Sequence, residues 1–152
     1  MNLQELIRPA LVAVDVEVDD WQAAIRVCGK LFLLDGATEV RFSDAMVRVA
    51  REFGPYIVVA PGIALPHALP EDGVKNASIA VIKLKTPVNF GNRENDPVWL
   101  VVALAAVDNR QHIQGLAELA HILGNARNIE RLRQSNTRDE ILDVFFSAAP
   151  VD

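Results

Sequence analysis

One histidine lies in a proline-rich segment that restricts the backbone around it. His67 follows a proline in the run Pro-Gly-Ile-Ala-Leu-Pro-His-Ala-Leu-Pro over residues 61–70. Because each proline fixes its own φ, the chain is constrained on both sides of the imidazole. Alternation along an extended segment would place Ile63, Leu65 and His67 on one face. A constrained imidazole beside apolar side chains suits a nucleophile, and it also suits a turn histidine with no chemical role.

A second histidine lies in the first turn of a predicted helix. Asp108 is a good N-cap, and Gln111 three residues later completes a capping-box pattern. The dipole at this helix end attracts anions and disfavours an imidazolium, so a neutral His112 could donate a hydrogen bond to a phosphoryl oxygen. A surface histidine without a role is the alternative interpretation. His121 lies nine residues further on, which at about 100° per residue places it on the opposite face, away from His112.

Other kinds of chemistry find little support in the pattern of residues. The close His-x-x-x-His pair of a catalytic zinc site does not occur, nor does a Walker A, Gly-x-Gly-x-x-Gly or Gly-x-Ser-x-Gly motif. We therefore predict neither a metal site nor a cofactor. Cys28, Trp21 and Trp99 lie among apolar residues at core-like spacing, and all three are predicted to be core residues.

Length and charge narrow the class of protein. The chain has 152 residues, a length typical of one domain, and we expect a single domain over residues 1–152. Its 15 Lys and Arg against 20 Asp and Glu give a net charge of −5, which argues against nucleic acid and anionic membranes as partners. A single cysteine, no signal-peptide pattern and no apolar run of membrane-spanning length predict a cytoplasmic protein.

Hydrophobic periodicity predicts helices at both ends of the chain with strands between them. The predicted helices cover residues 3–7, 21–35, 44–53, 109–123, 129–134 and 138–146, and the predicted strands cover 11–14, 56–60, 78–84 and 98–104. Asp19, Ser43 and Thr137 are the expected N-caps of the second, third and last helices. The fold class is therefore α/β: a small mixed sheet with helices on both faces, forming a three-layer sandwich.

Taken together, the two histidine segments resemble the enzyme IIA domains of the mannitol/fructose class of the bacterial phosphotransferase sugar-uptake system. The resemblance rests on Gly-Ile-Ala-Leu-Pro-His at 62–67 and on the leucine-rich helix that His112 opens, and it extends over about residues 3–146. It implies that His67 is the phosphorylated nucleophile and that His112 is the second active-site histidine. In such proteins the phosphoryl group arrives from a histidine of HPr and leaves to a cysteine of an enzyme IIB, which serves a membrane transporter.

Two details of the sequence concern the arginine that helps to hold the phosphoryl group and the type of enzyme IIA that the chain resembles. The resemblance implies an arginine in the helix before the active-site strand that helps to hold the phosphoryl group. Arg48 and Arg51 are the candidates, and we favour Arg51. The segment 54–62 resembles the ascorbate-type and cryptic-mannitol-type members, which often have an arginine two residues after the histidine. This chain has Leu69 there.

The resemblance leaves two roles open. The first is a phosphoryl carrier for sugar uptake, and the second is a regulatory module of the nitrogen-related kind, controlled by phosphorylation of the same histidine. A homodimer is compatible with either role. For the first role we expect an apolar patch around His67, formed by Ile63, Leu65, Ala68 and Leu69, on which a separate enzyme IIB docks.

Overall fold

The computed structural model describes residues 3–148, which form a five-stranded sheet with helices packed against it. The strands are β1 (Val12–Val16), β2 (Val58–Ala60), β3 (Ile63–Ala64), β4 (Ser78–Val88) and β5 (Val98–Ala105). The helices are α1 (Leu3–Leu6), α2 (Trp21–Leu34), α3 (Arg41–Phe53), α4 (Asn109–Leu123), α5 (Ala126–Gln134) and α6 (Arg138–Ser147). Short 3₁₀ turns lie at Pro9–Leu11, Gly54–Ile57 and Pro70–Asp72.

The sheet is mixed and has the strand order β1-β4-β5-β3-β2. The β1/β4 and β3/β5 pairs are parallel, whereas the β4/β5 and β2/β3 pairs are antiparallel. Every residue of β5 is buried, as expected for a continuous apolar run with strands on both sides and helices on both faces. The two-residue strand β3 next to β5 leads directly into the segment with His67.

Two separate apolar cores lie on the two faces of the sheet. On one face α2 and α3 pack against the strands, with Phe32 and Phe42 in edge-to-face contact at 5.8 Å between ring centroids. On the other face lie α4, α5 and α6, whose buried side chains include Leu119 and Phe145. The predicted three-layer α/β sandwich is therefore confirmed.

The N-caps of α2 and α3 differ from those predicted. Asp20 rather than Asp19 caps α2, because its carboxylate accepts the N–H of Ala23 at 2.8 Å. Helix α3 begins at Arg41, so Ser43 lies inside it and is not its cap. A Cβ at Gly29 of α2 would lie 1.7 Å from the Ser43 hydroxyl oxygen, which shows how closely the two helices approach at this point.

The segment after α3 also departs from the prediction, and this shift affects the site. Gly54 has a φ of +73°, which ends the helix, and Pro55 follows in a 3₁₀ turn through Ile57. The expected strand at 56–60 therefore begins only at Val58. The early part of this segment forms a wall beside His67 instead of a sheet edge.

Other boundaries fall near their predicted positions. Thr137 caps α6 as expected, with its hydroxyl oxygen accepting the N–H of Glu140 at 3.1 Å. Helix α5 starts three residues earlier than predicted, because Asn125 accepts the N–H groups of Arg127 and Asn128. Strand β1 extends to Val16, two residues past the predicted end.

The three residues predicted to lie in the core differ in burial. Cys28 is fully buried, and burial raises the pKa of its thiol to about 12. Trp99 is also buried, with the guanidinium carbon of Arg133 4.6 Å from the centroid of its ring. Trp21 is partly exposed and packs against Phe90 at 6.2 Å between ring centroids. Core placement is confirmed for Cys28 and Trp99, whereas Trp21 lies at the core boundary.

Candidate functional site

The position of His67 follows from its attachment to the central strand β5. Directly after β3, Pro66 accepts the N–H of Leu104 at 3.0 Å, and His67 forms a bridge with Leu104. The imidazole is half-buried, and its Nδ1 lies 2.8 Å from the carbonyl oxygen of Leu65. Because a carbonyl can only accept, Nδ1 carries the hydrogen and donates it. The lone pair of the neutral ring is therefore at Nε2, where it is available as a nucleophile.

The first turn of α4 brings His112 to the same place. Asp108 caps the helix by accepting the N–H of Gln111 at 2.7 Å, as the sequence predicts, and the Gln111 side chain accepts the N–H of Val107 at 2.9 Å. The N–H of His112 donates to the Asp108 carbonyl. Since the backbone N–H groups of Gln111 and His112 are both engaged, His112 can interact with an anion only through its ring.

The two imidazoles face each other in an edge-to-face arrangement. Their centroids are 5.2 Å apart and their planes are inclined by 64°. Burial is the main factor that lowers the pKa of His112, and the neighbouring His67 lowers it further. The Nδ1 atom of His112 is buried without a hydrogen-bond partner among the described residues. His112 is thus held in its neutral form, in which one ring nitrogen is a donor and the other an acceptor.

A cavity of about 550 Å³ opens beside both rings, and we refer to it as the His67 pocket. Helix α3 forms one wall, because four of its residues at i, i+1, i+4 and i+5 point into the space. The lining consists of Arg48, Val49, Glu52, Phe53, Tyr56, Ile57, His67, Ala68, Leu69, Asp72 and His112. Six of these eleven side chains are apolar or aromatic, so the charged groups of Arg48, Glu52 and Asp72 act in surroundings that screen them less than water does.

The guanidinium group in the His67 pocket belongs to Arg48. Its Nη2 lies 3.4 Å from Oδ1 of Asp72, which also lines the pocket. Arg51, the arginine favoured from the sequence, lies three residues further along α3, about 60° around the helix axis. It lines a different cavity, together with Trp21 and Phe90. The structure brings Arg48, but not Arg51, together with the two histidines.

His121 lies in another part of the molecule. It borders a hollow of about 320 Å³ formed by the ends of α4, α5 and α6, which we refer to as the His121 hollow. The other lining residues are Asn125, Arg127, Asn128, Arg131, Ser147 and Ala148. The helix geometry that separated His121 from His112 in the sequence analysis therefore agrees with the structure.

The prediction of an exposed apolar patch around His67 is wrong for three of its four residues. Ile63 and Leu65 are buried in the core that contains α4–α6, and Ala68 is buried in the opposite core. Only Leu69 is exposed, with 51% of its surface accessible. Alternation along the segment holds, but it directs these side chains into the two layers of the sandwich because helices cover both faces.

Exposed apolar side chains do surround the pocket, but other elements supply them. Phe53 at the end of α3 is 64% exposed and Tyr56 in the following 3₁₀ turn is 84% exposed. Ile113, which follows His112 on α4, is 67% exposed but is not among the residues that line the pocket. We refer to Phe53, Tyr56 and Leu69 as the apolar rim. Large exposed apolar side chains grouped around a pocket are typical of a protein interaction surface.

Two further features concern metal binding and membranes. Within residues 3–148 no group of three or more His, Cys, Asp or Glu side chains is arranged to hold a metal ion. Among the same residues, no helix combines the length and the apolar character needed to cross a bilayer.

Comparison with known proteins identifies the family. Residues 5–148 match the family described as phosphoenolpyruvate-dependent sugar phosphotransferase system, EIIA 2. The ascorbate-specific PTS system EIIA component of Escherichia coli (strain K12) is 34% identical over 135 residues, which cover 88% of each chain. The chain therefore belongs to the EIIA 2 family of the phosphotransferase system.

Solved structures agree with this assignment. The mannitol-specific cryptic phosphotransferase enzyme IIA CmtB of Escherichia coli superimposes with a TM-score of 0.87 at 27% identity, covering 97% of this chain and all of that one. Enzyme IIA of mannitol from Escherichia coli, solved in complex with phosphorylated enzyme IIB, superimposes with a TM-score of 0.81 at 26% identity and covers 94% of this chain. The resemblance to the cryptic-mannitol and ascorbate types is thus confirmed.

Proposed function

We propose that this chain is a phosphoryl carrier of the sugar phosphotransferase system, with His67 as the residue that becomes phosphorylated. The observation that supports this most directly is the hydrogen bond from His67 Nδ1 to the Leu65 carbonyl at 2.8 Å. It fixes the tautomer and the orientation of the ring, and it leaves Nε2 as the nucleophile. The half-buried ring borders a pocket large enough for a phosphoryl group.

The transfer step follows from this tautomer. The Nε2 lone pair attacks the phosphorus atom of phosphohistidine on HPr, so an Nε2–P bond forms while the donor's N–P bond breaks. The donor imidazole leaves with the electron pair of that bond. His67 retains its Nδ1 hydrogen throughout, and the Leu65 carbonyl stabilises the positive charge that develops on the ring. The reverse sequence at the acceptor transfers the phosphoryl group to a cysteine thiolate of enzyme IIB.

The charge on the transferring group is stabilised by two side chains in this proposal. His112 donates a hydrogen bond from its neutral ring, and Arg48 supplies a guanidinium that suits phosphoryl oxygens. Such a transfer depends mainly on positioning and charge stabilisation. We therefore propose that the step between phospho-HPr and His67 requires no metal ion.

The apolar rim is the proposed docking surface for both partners. A carrier that accepts from one protein and donates to another needs a surface around its phosphorylated residue that each partner can cover in turn. Phe53, Tyr56 and Leu69 border the His67 pocket, and all three are more than half exposed. Because phosphoenolpyruvate is a cytoplasmic metabolite, the proposed function also implies a cytoplasmic location.

The proposed acceptor is an enzyme IIB of the ascorbate-like kind. The 34% identity to the ascorbate-specific component over 88% of both chains supports this choice. Phosphorylated protein offered to purified enzyme IIB proteins of the ascorbate, mannitol, fructose and galactitol kinds should transfer fastest to the ascorbate-type acceptor. Fastest transfer to a fructose-type acceptor would reject this acceptor and leave the role of His67 intact.

The central test is phosphorylation in a reconstituted system. Incubation with phosphoenolpyruvate, enzyme I and HPr should give one phosphate per chain, labile in acid and stable in alkali as expected of a phosphohistidine. His67→Gln should abolish this labelling, whereas His121→Gln should label like wild type. Labelling of His67→Gln at the wild-type level would refute the assignment. Transfer from phospho-HPr prepared in advance should also continue in the presence of a chelator.

A further inference from the structure

The guanidinium in the His67 pocket already has an ionic partner. Arg48 Nη2 lies 3.4 Å from Asp72 Oδ1, with 55% of the arginine side chain exposed and 17% of the aspartate side chain exposed. A charge-assisted hydrogen bond usually measures about 2.7–2.9 Å, so the 3.4 Å contact between Arg48 and Asp72 is weak. Arg48 is therefore held near Asp72 by an interaction that a better anion could replace.

Asp72, in contrast, is fixed to the backbone next to the nucleophile. Its Oδ2 accepts the N–H of Leu69 at 2.9 Å, which caps the 3₁₀ turn Pro70–Asp72 at its N-terminus. Leu69 is two residues from His67. The two carboxylate oxygens of Asp72 thus have separate contacts: Oδ2 binds the backbone, and Oδ1 faces Arg48. This arrangement places the Asp72 carboxylate, bound to the backbone, and the Arg48 guanidinium, with its one long contact, together in the pocket.

We propose that Asp72 is a positioning residue that holds Arg48 while His67 is unphosphorylated and releases it to the phosphoryl group after transfer. This inference rests on the proposed function and goes one step beyond it. The phosphoryl group has oxygens suited to bidentate binding by a guanidinium, whereas the Asp72 contact is single and long. Phosphorylation therefore exchanges one anionic partner of Arg48 for another.

Competition between the two anions sets how firmly the carrier keeps its phosphoryl group. Any free energy that Arg48 gains from Asp72 in the unphosphorylated protein is lost when the phosphoryl group takes its place. Asp72 therefore weakens the net stabilisation of phosphohistidine by Arg48. A carrier benefits from this, because a phosphoryl group bound too firmly is passed on slowly.

The test is the equilibrium of phosphoryl exchange between HPr and this chain, measured for Asp72→Asn. Asparagine keeps an oxygen that can accept the Leu69 N–H, so the turn is preserved while the charge is removed. The equilibrium should shift about two- to fivefold towards phosphorylated His67, the size expected for loss of a partly exposed ion pair. Transfer onward to enzyme IIB should slow by a similar factor.

A double-variant comparison separates the action through Arg48 from simple repulsion. In an Arg48→Gln background, adding Asp72→Asn should leave the exchange equilibrium unchanged. A shift of the same size in both backgrounds would mean that Asp72 acts directly on the phosphoryl group, and the proposal would be wrong. Glu71→Gln is the matched control, because it removes the same charge from the same turn outside the pocket.

Three further outcomes are decisive. If Asp72→Ala shifts the equilibrium and Asp72→Asn does not, Asp72 acts only through the cap on Leu69, and the exchange of partners is rejected. If wild-type protein accepts no phosphoryl group from phospho-HPr, the proposed function fails and this inference fails with it. A normal wild-type reaction, a slowed Arg48→Gln reaction and an unaffected Asp72→Asn reaction would reject this inference alone.

Discussion

Two hollows among the described residues combine histidine with arginine, and they differ in what their polar groups already bind. In the His121 hollow, Arg131 donates to the Ser147 hydroxyl at 2.8 Å, and the side-chain amide of Asn128 donates to the Ile122 carbonyl at 3.1 Å. These bonds connect α4, α5 and α6 to each other. Arg131 and Asn128 thus hold these helices together.

In the His67 pocket the polar groups are held in place, but the atoms that could bind a phosphoryl group are not occupied by strong hydrogen bonds. The backbone fixes His67 through Nδ1 and leaves Nε2 unengaged, while Arg48 has only a long contact with Asp72. Apolar side chains such as Val49 and Ile57 line much of the remaining wall. The comparison shows that residue type alone does not make a site, since both hollows contain a histidine and an arginine. A fixed histidine ring with one open nitrogen distinguishes the His67 pocket from the His121 hollow.

After His67 itself, the largest effect on the transfer rate should come from His112, which shares the pocket with this proposed nucleophile. His112→Ala removes a neutral donor beside the phosphoryl position and should slow phosphorylation of His67 by about 10- to 1000-fold. His121→Ala in the other hollow should leave the rate at the wild-type value. Rapid-quench measurement with phospho-HPr as donor provides both rates. Equal losses in the two variants would contradict the difference between the hollows.

A smaller effect should separate the two arginines of α3. Arg48→Gln removes the guanidinium from the His67 pocket and should slow phosphoryl transfer by about 10- to 100-fold, as expected for loss of a charged hydrogen-bond donor. Arg51→Gln is the matched control on the same helix, and it should have little effect because Arg51 lines another cavity. The same rapid-quench assay applies. A larger loss for Arg51→Gln would show that the exposed arginines rearrange when the partner binds.

These two arginines show where prediction from the sequence reached its limit. The capping pattern at Asp108 and Gln111 fixed the start of α4 and thereby the place of His112, because capping depends on residues close in sequence. The choice between Arg48 and Arg51 depended instead on the rotation of α3 relative to His67. The 3₁₀ turn Gly54–Ile57 separates α3 from the segment with His67, and periodicity does not encode such a turn.

The exposed surface was harder to predict for a related reason. Alternation placed Ile63 and Leu65 on one side of an extended segment, but it could not say that helices cover both sides. The pairing of β3 with β5, which buries these residues, joins parts of the chain more than 30 residues apart. Fold class and core strands followed from local patterns. The apolar rim arises from long-range packing that composition and spacing leave undetermined.

An intermediate effect should test whether the apolar rim distinguishes the His67 pocket as a docking site. Tyr56→Ser removes a side chain that is 84% exposed and should raise the apparent KM for phospho-HPr or the enzyme IIB acceptor about 3- to 30-fold. The rate at a saturating concentration of the partner should change little, since no hydrogen bond or ring contact joins Tyr56 to His67 among the described residues. Steady-state transfer assays measure both quantities.

Leu34→Ser is the matched control for that experiment. Leu34 is 74% exposed at the end of α2 and does not line the His67 pocket. Its replacement removes a comparable amount of exposed apolar surface and should leave the KM for both partners unchanged. If Leu34→Ser and Tyr56→Ser raise KM equally, the apolar rim has no special part in docking.

The smallest effect is on stability, and it follows from the burial of His112. Burial, aided by the neighbouring His67, lowers the pKa of His112 in the folded protein below its ordinary value of about 6.5. Between the lowered folded pKa and about 6.5, the unfolded chain binds more protons at this residue than the folded protein does, so stability rises with pH across that window. Conversely, acidification below about pH 6.5 favours unfolding through His112.

Urea unfolding of wild type and His112→Ala over this pH range tests this effect. The unfolding free energy of wild type minus that of the variant should decrease as the pH falls. A difference that stays constant or increases on acidification would show that His112 is not held neutral by its surroundings, and would remove one of the features that set the His67 pocket apart.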